Sequence, residues 1–330
     1  MPIFSAEMAE NLKLHKYSGS DEGLMYVYFY NPVATRLVEC LPDWVAPNTL
    51  TLLGFVHTIV PLTTLFTVAD FDLMGHVPNW FFFLQAWCYF AYRMLDEMDG
   101  KQARRTGNSS PLGLIFDHGC DAFSCGFQAL IALRTMQCGN NFLSYCMVIL
   151  AMASFHFATL EEYYVGTLKL PVCNAVSDGS VLLILMYLVT GILGNQIWVV
   201  PICDGSWMNI DGITDLTLGQ IFIAALCLLS LAITLSFYVK ILSSRSHPLP
   251  TQSEEVAIMP LLVQIFGFWL WVAIWFCVAF VGDEPIHTPP VQVNQDSSEN
   301  FEALGDYGQR YFMTYSLLFI FVTVHNTIKI

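Results

Sequence analysis

Eight apolar runs of about 18–25 residues, the length that crosses a bilayer, follow one another along this chain. They fall at about 48–67, 79–99, 111–134, 141–160, 179–200, 217–240, 256–281 and 310–328. One such run can be a buried helix of a soluble protein, but eight in succession argue for a membrane. Composition agrees: 55% of the 330 residues are hydrophobic and only 12% charged, with a mean hydropathy of +0.55, whereas a soluble domain carries about 25% charge. The expected fold is an all-α, polytopic membrane helical bundle of about eight transmembrane helices, with an N-terminal interfacial amphipathic helix.

Three regions are expected. Residues 1–44 are too polar to supply the apolar core of a cleavable signal peptide. Leu24, Met25, Tyr26, Tyr28 and Phe29 among charged residues instead suggest a segment lying on the membrane surface. Residues 45–240 hold six spans and form the expected catalytic core. Residues 241–330 hold two more, the last ending at Ile330. With a cytosolic N-terminus, Lys13, Lys16, Arg36, Lys101, Arg104, Arg105, Lys169, Lys240, Arg245 and Lys329 all face the cytosol, as the positive-inside rule favours. Solvated acidic loops at 201–216 and 282–308 then account for the net charge of −14. Ten cysteines without regular spacing suggest neither a zinc site nor a disulfide framework.

Among these apolar segments stands one dense polar pattern: Asp96, Asp99, Gly100, Ala103 and Arg104, then Gly113, Asp117 and Asp121. Asp96 and Asp99 share a helix face at the end of the second span. Asp117 and Asp121 share a face of the third. The short connection makes the two helices antiparallel neighbours, so the four acids can converge. Four carboxylates at membrane depth cannot all be charged, close and unpaired, so a cation is expected between them. Four carboxylate oxygen donors favour Mg²⁺ or Mn²⁺, and two ions fit if one carboxylate bridges them. A two-ion clamp suits displacement at phosphorus. Lys101, Arg104 and Arg105 follow at once and offer positive charge to phosphate oxygens.

Taken singly, these features have bland explanations: paired acids as helix caps, Lys-Arg-Arg as a topology signal, small residues as helix packing. Their combination in this order favours a site. His118, between two of the acids, is the favoured proton acceptor over Asp121, because imidazole suits neutral pH and a cation weakens a carboxylate as a base.

The run from Asp96 to Asp121 resembles, without gap or substitution, the D-x-x-D-G-x-x-A-R-x8-G-x3-D-x3-D motif of the CDP-alcohol phosphotransferase family. Asp99-Gly100-Lys101-Gln102-Ala103-Arg104-Arg105-Thr106, Ser109-Ser110-Pro111-Leu112-Gly113 and Phe116-Asp117-His118-Gly119-Cys120-Asp121 resemble its eukaryotic choline/ethanolamine branch. So do His15-Lys16-Tyr17-Ser18 and the stretch from Pro42 to Asn48. The resemblance implies transfer of a phosphoalcohol from CDP-ethanolamine or CDP-choline to diacylglycerol, with release of CMP. It implies that Asp96, Asp99 and Asp117 bind metal, that Asp117 bridges two ions, and that Asp121 completes the second site. It implies contacts from Asn48 and Arg104 to the CDP moiety, with room made by Gly100, Ala103 and Gly113. It also implies ten spans, two more than the chain shows.

The expected setting is the endoplasmic reticulum or Golgi membrane, with the site at the cytosolic face and membrane lipids around it. Homodimerisation is open and no nucleic-acid partner is expected. Other functions remain open from the sequence: a relative using an anionic acceptor, a cation transporter, or a catalytically silent subunit of a membrane complex. Few basic residues beyond the motif disfavour an anionic acceptor. Clustered acids, rather than acids spread along a path, disfavour a transporter. The intact motif disfavours a silent subunit. Glu161, Glu162, Tyr163 and Tyr164 are candidates for head-group recognition. Glu97 stands where an apolar or small residue is expected, and the sequence supplies no role for it.

Overall fold

The computed structural model describes residues 19–69, 73–139, 142–165, 167–202, 216–244, 265–270 and 272–273, with the side chains of Tyr163 and Tyr164 outside that set. The expected motif at His15–Ser18, the acidic loop residues 203–215 and 282–308, most of the seventh run and all of the eighth lie outside the described residues.

The expected all-α bundle is what forms. A π-helical turn over Tyr26–Tyr30 runs directly into α1 (Asn31–Glu39). The long helices follow: α2 (Pro47–Val68), α3 (Asn79–Thr106), α4 (Pro111–Thr135), α5 (Phe142–Val165), α6 (Ser177–Leu193) and α7 (Leu218–Ser244). A 3-10 turn at Asn195–Val199 follows α6. Pro47 and Pro111 sit in the first turns of α2 and α4, where proline's missing N–H costs nothing. Three helices, Pro47–Val68, Phe142–Glu162 and Leu218–Ser243, are long and apolar enough to cross a membrane. The count of spans expected from the sequence is not reached on that measure among the described residues. The reason is local: α3 and α4 carry the motif's charges, and α6 has 17 residues.

α3 is the organising helix and packs against α1, α2 and α6, while α2 also packs on α4, and α5 packs on α4 and α7. The main core gathers Leu62, Phe81, Phe82, Leu130, Leu133, Met152, Phe157 and Tyr187 from these helices. The expected adjacency of the motif helices is modified. Although a short loop joins α3 to α4, their backbones come close at few points. Long side chains span the gap instead: Tyr92 hydroxyl donates to Asp121 Oδ1 at 2.7 Å, and Gln85 Nε2 to Gln128 Oε1 at 2.6 Å.

α1 is amphipathic as expected, but it docks on the bundle. Tyr30, Ala34 and Val38 bury against Leu50, Met94 and Met98, while Leu24, Val27 and Tyr28 stay exposed. A two-stranded parallel ribbon, β1 (Gly19–Asp21) with β2 (Leu168–Leu170), was not foreseen. It ties the N-terminal segment to the end of α5. Asp178 Oδ1 accepts from Met25 N at 2.8 Å and Asp21 Oδ1 from Asn174 Nδ2 at 2.8 Å, so the same segment is also fastened to the start of α6.

Candidate active site

The carboxylates of Asp96 and Asp99 come from the last turns of α3, and that of Asp117 from the second turn of α4. Local chemistry fixes both helix ends. α3 stops at Gly107, whose φ of +69° suits glycine, and Asn108 N donates to Ala103 O at 2.9 Å. α4 starts at Ser110, whose hydroxyl accepts from Gly113 N at 3.1 Å, a cap worth about 1 kcal/mol. The loop between them is therefore held at each end by its own residues.

One oxygen from each of Asp96, Asp99 and Asp117 lies within 4.8 Å of the others. Thr51 of α2 donates its hydroxyl to Asp99 Oδ2 at 2.5 Å. Asp117 Oδ1 is buried with no hydrogen-bond partner among the described residues. A buried carboxylate oxygen left in that state costs several kcal/mol unless a cation or proton meets it. Three hard oxygen donors at this spacing, one of them orphaned, fit a divalent cation. Asp121, the fourth acid of the motif, stands outside this trio and gives its Oδ1 to Tyr92.

Gly100 and Gly113 stand beside the polar side chains that the resemblance assigns to the nucleotide. A Cβ added to Gly113 would stand 3.3 Å from Asn48 Oδ1 and 3.3 Å from Ser110 Oγ. Asn48, at the first turn of α2, therefore lies against the α4 N-terminus. A Cβ on Gly100 would stand 3.4 Å from Arg104 Nη1, so the exposed Arg104 guanidinium folds back over Gly100. Ala103 is half-buried beside them. The other two cations of the motif loop are engaged by protein groups. Arg105 donates to the Val38 and Leu41 carbonyls at 2.5 and 2.8 Å and pairs with Asp43 at 2.8 Å. Lys101 Nζ donates to Asn31 Oδ1 at 2.7 Å and lies over the Tyr26 ring. Both fasten α1 and the following turn to α3.

His118 Nδ1 lies 3.1 Å from Leu114 O and its Nε2 3.6 Å from Glu162 Oε2 of α5. A carbonyl can only accept, so the geometry fits a hydrogen on Nδ1, and Nε2 is the nitrogen turned toward Glu162. The two acids considered for head-group recognition part company here. Glu162 faces His118, whereas Glu161 is buried and pairs with Lys240 at 3.2 Å.

Two residues at this site were not foreseen as partners. Arg93, 4% exposed, donates one arm of its guanidinium to Asp96 Oδ2 and the other to Glu97 Oε1 at 2.9 Å. The acid cluster thus includes a buried cation, and Glu97 acquires a role as its partner. Their i, i+3 and i, i+4 spacing was the available signal.

The family model described as CDP-alcohol phosphatidyltransferase matches residues 44–203. Choline/ethanolaminephosphotransferase 2 of Arabidopsis thaliana is 32% identical over 279 residues, covering 82% of this chain and 70% of that protein. Choline/ethanolaminephosphotransferase 1 of the same plant is 37% identical over 198 residues, covering 60% of this chain and 50% of that protein. Cholinephosphotransferase 1 of Xenopus laevis is 36% identical over 200 residues, covering 59% of this chain and 48% of that protein. The matched stretch thus spans about half the length of the last two relatives. With the motif geometry and an alignment extending over most of one full relative, this chain belongs to the CDP-alcohol phosphatidyltransferase family.

Proposed function

We propose that this chain transfers phosphoethanolamine or phosphocholine from the CDP-alcohol to the hydroxyl of diacylglycerol, forming phosphatidylethanolamine or phosphatidylcholine and CMP. The observation that carries the reading is the trio Asp96, Asp99 and Asp117, with the buried, unpartnered Asp117 Oδ1 among donors that suit a divalent cation. The names of the relatives support the head groups, and the family description supports a CDP-alcohol donor.

Asp96, Asp99 and Asp117 would hold Mg²⁺ or Mn²⁺, with Asp117 shared between two ions and Asp121 completing the second site. Bound there, the cations supply charge neutralisation for the attacking and leaving oxygens at phosphorus. Arg104 and Asn48 receive the CDP moiety, with Gly100, Ala103 and Gly113 keeping the approach open. His118 Nε2 accepts the diacylglycerol proton, and Glu162 stabilises the imidazolium that results. The diacylglycerol oxygen bonds to the phosphorus that carries the alcohol. The bond from that phosphorus to the bridging oxygen breaks, and CMP leaves.

The position of the acids at helix ends supports access from two phases. A water-soluble CDP-alcohol enters from the cytosol, where the basic residues of the motif loop orient the chain, and diacylglycerol enters sideways from the bilayer. The setting is the endoplasmic reticulum or Golgi membrane.

The test is CMP release by the purified full chain, with CDP-choline and CDP-ethanolamine assayed side by side in diacylglycerol-containing vesicles. CMP and phospholipid formed in equal amounts from at least one donor support the reading. Release of CMP that does not depend on diacylglycerol, or no release from either donor, contradicts it.

A further inference from the structure

Arg93 is a charged side chain placed where charge is expensive. It lies on α3 within the apolar part of the bundle, 4% exposed, one turn before the first motif acid. Burying a guanidinium there costs several kcal/mol unless its donors and charge are met. Two carboxylates and an aromatic face meet its charge and its two Nη groups, while Nε has no hydrogen-bond partner among the described residues. Nη1 donates to Asp96 Oδ2, Nη2 donates to Glu97 Oε1 at 2.9 Å, and the guanidinium carbon sits 5.6 Å from the centre of the Tyr30 ring. Tyr30 is itself fully buried between the N-terminal helical segment and α6, where its hydroxyl pairs with Ser180 Oγ at 3.0 Å. Arg93 is therefore gripped from its own helix and from the element packed on it, and its rotamer has little freedom.

The charges divide simply. Glu97 adds one negative charge beyond the four acids of the motif, and Arg93 cancels it. The Arg93–Glu97 pair is thus neutral as a unit and leaves the motif charge unchanged for a cation. What the pair adds is geometric: a second, rigid donor on Asp96. With Oδ2 held by the guanidinium, the plane of the Asp96 carboxylate is set relative to Asp99 and Asp117. In a charge-assisted pair such orientation is stiff as well as strong.

We infer that Arg93 is a positioning residue for the metal site, with Glu97 as its counter-charge: the guanidinium orients Asp96 as a ligand, and Tyr30 holds the guanidinium. The inference rests on the proposed metal-dependent reading of the trio. Partners of ligating groups that sit one step behind the metal typically change affinity or activity by about 10- to 100-fold when removed, and that is the size of effect assigned here.

The experiment uses the purified full chain in detergent, with Mn²⁺ alone as the probe. Bound ion is read from the loss of the free-ion electron paramagnetic resonance signal, and folding from the thermal melt. Arg93→Gln alone strands a buried Glu97 and favours misfolding, so the deciding variant is the double change Arg93→Gln with Glu97→Gln, which removes both charges together. Glu97→Gln alone is its control, since it leaves the bond from Arg93 to Asp96 in place. The expected result is a small loss of Mn²⁺ affinity for Glu97→Gln, which leaves the Arg93 charge unbalanced, a dissociation constant raised about 10- to 100-fold for the charge-neutral double variant, and a value between these two for Arg93→Lys, which keeps a cation but loses the fork. Double-variant protein that binds Mn²⁺ like wild type overturns the role of Arg93 while leaving the metal reading intact. Wild-type protein that binds no Mn²⁺ overturns both.

Discussion

His118 Nε2 and Glu162 Oε2 lie 3.6 Å apart across the α4–α5 interface, although 44 positions separate them in the chain. With Nδ1 turned to Leu114 O, the ring offers its second nitrogen to this space. A proton taken up at that nitrogen lies beside the Glu162 carboxylate. His118→Ala is expected to lower turnover about 10²- to 10⁴-fold, the usual worth of a positioned acid or base. CDP-alcohol binding should be almost unchanged, since the proton moves only in the transition state. Glu162→Gln should also lower turnover, but less than His118→Ala. Steady-state kinetics with nucleotide binding measured separately checks this, and equal losses of binding and turnover would show a structural role.

Thr51 and Tyr92 each donate a hydroxyl to one motif acid, Thr51 to Asp99 and Tyr92 to Asp121. A hydrogen bond to a charged group contributes about 1.5–3 kcal/mol. Thr51→Val should therefore raise the metal concentration for half-maximal activity about tenfold, with Thr51→Ser restoring it. Tyr92→Phe should lower activity by a similar factor with little change in melting temperature. Metal titrations of each variant decide the matter.

At the nucleotide side, Gly113→Ala places a methyl 3.3 Å from Asn48 Oδ1. Asn48 must then shift. The expected outcome is a raised KM for the CDP-alcohol in both Gly113→Ala and Asn48→Ala, with kcat less affected. A fall in kcat alone would remove Asn48 and Gly113 from the nucleotide site.

Gly219, at the start of α7, makes a purely structural prediction. An added Cβ would lie 2.5 Å from Met136 O and 3.1 Å from Trp198 O, both backbone atoms that cannot swing aside. Gly219→Ala should destabilise the protein by about 1–3 kcal/mol, as overpacking does. A melting temperature equal to wild type would contradict the close packing of α7 on these two carbonyls.

The parts of this molecule governed by local rules were legible in the sequence. The helices from α2 to α7 follow apolar runs, the Ser110 cap and Pro111 start mark α4, and the spacing of Asp96, Asp99 and Asp117 places all three on facing stripes. Long-range pairings were not legible. Nothing local joins His118 to Glu162, or Gly19 to Leu168 in the parallel ribbon. Lys101 and Arg105 read as free cations because their acceptors, Asn31 and the Val38 and Leu41 carbonyls, come from a helix whose docking only the packing reveals. Arg93 and Glu97 lay between these cases. Their helical spacing announces a pair, yet only the burial of Arg93 shows that Asp96 shares it.

The central claim is that carboxylates of α3 and α4 hold a divalent cation for phosphobase transfer. Asp117, whose buried Oδ1 finds no hydrogen-bond partner among the described residues, is the residue on which that claim bears hardest. The most direct measurement follows CMP release by purified wild type and Asp117→Asn, in excess EDTA and after adding back Mg²⁺ or Mn²⁺. The account predicts no turnover in chelator, recovery of the wild type on adding either ion, and no recovery of Asp117→Asn. Full turnover in excess EDTA, or an Asp117→Asn protein as active as wild type, would contradict it.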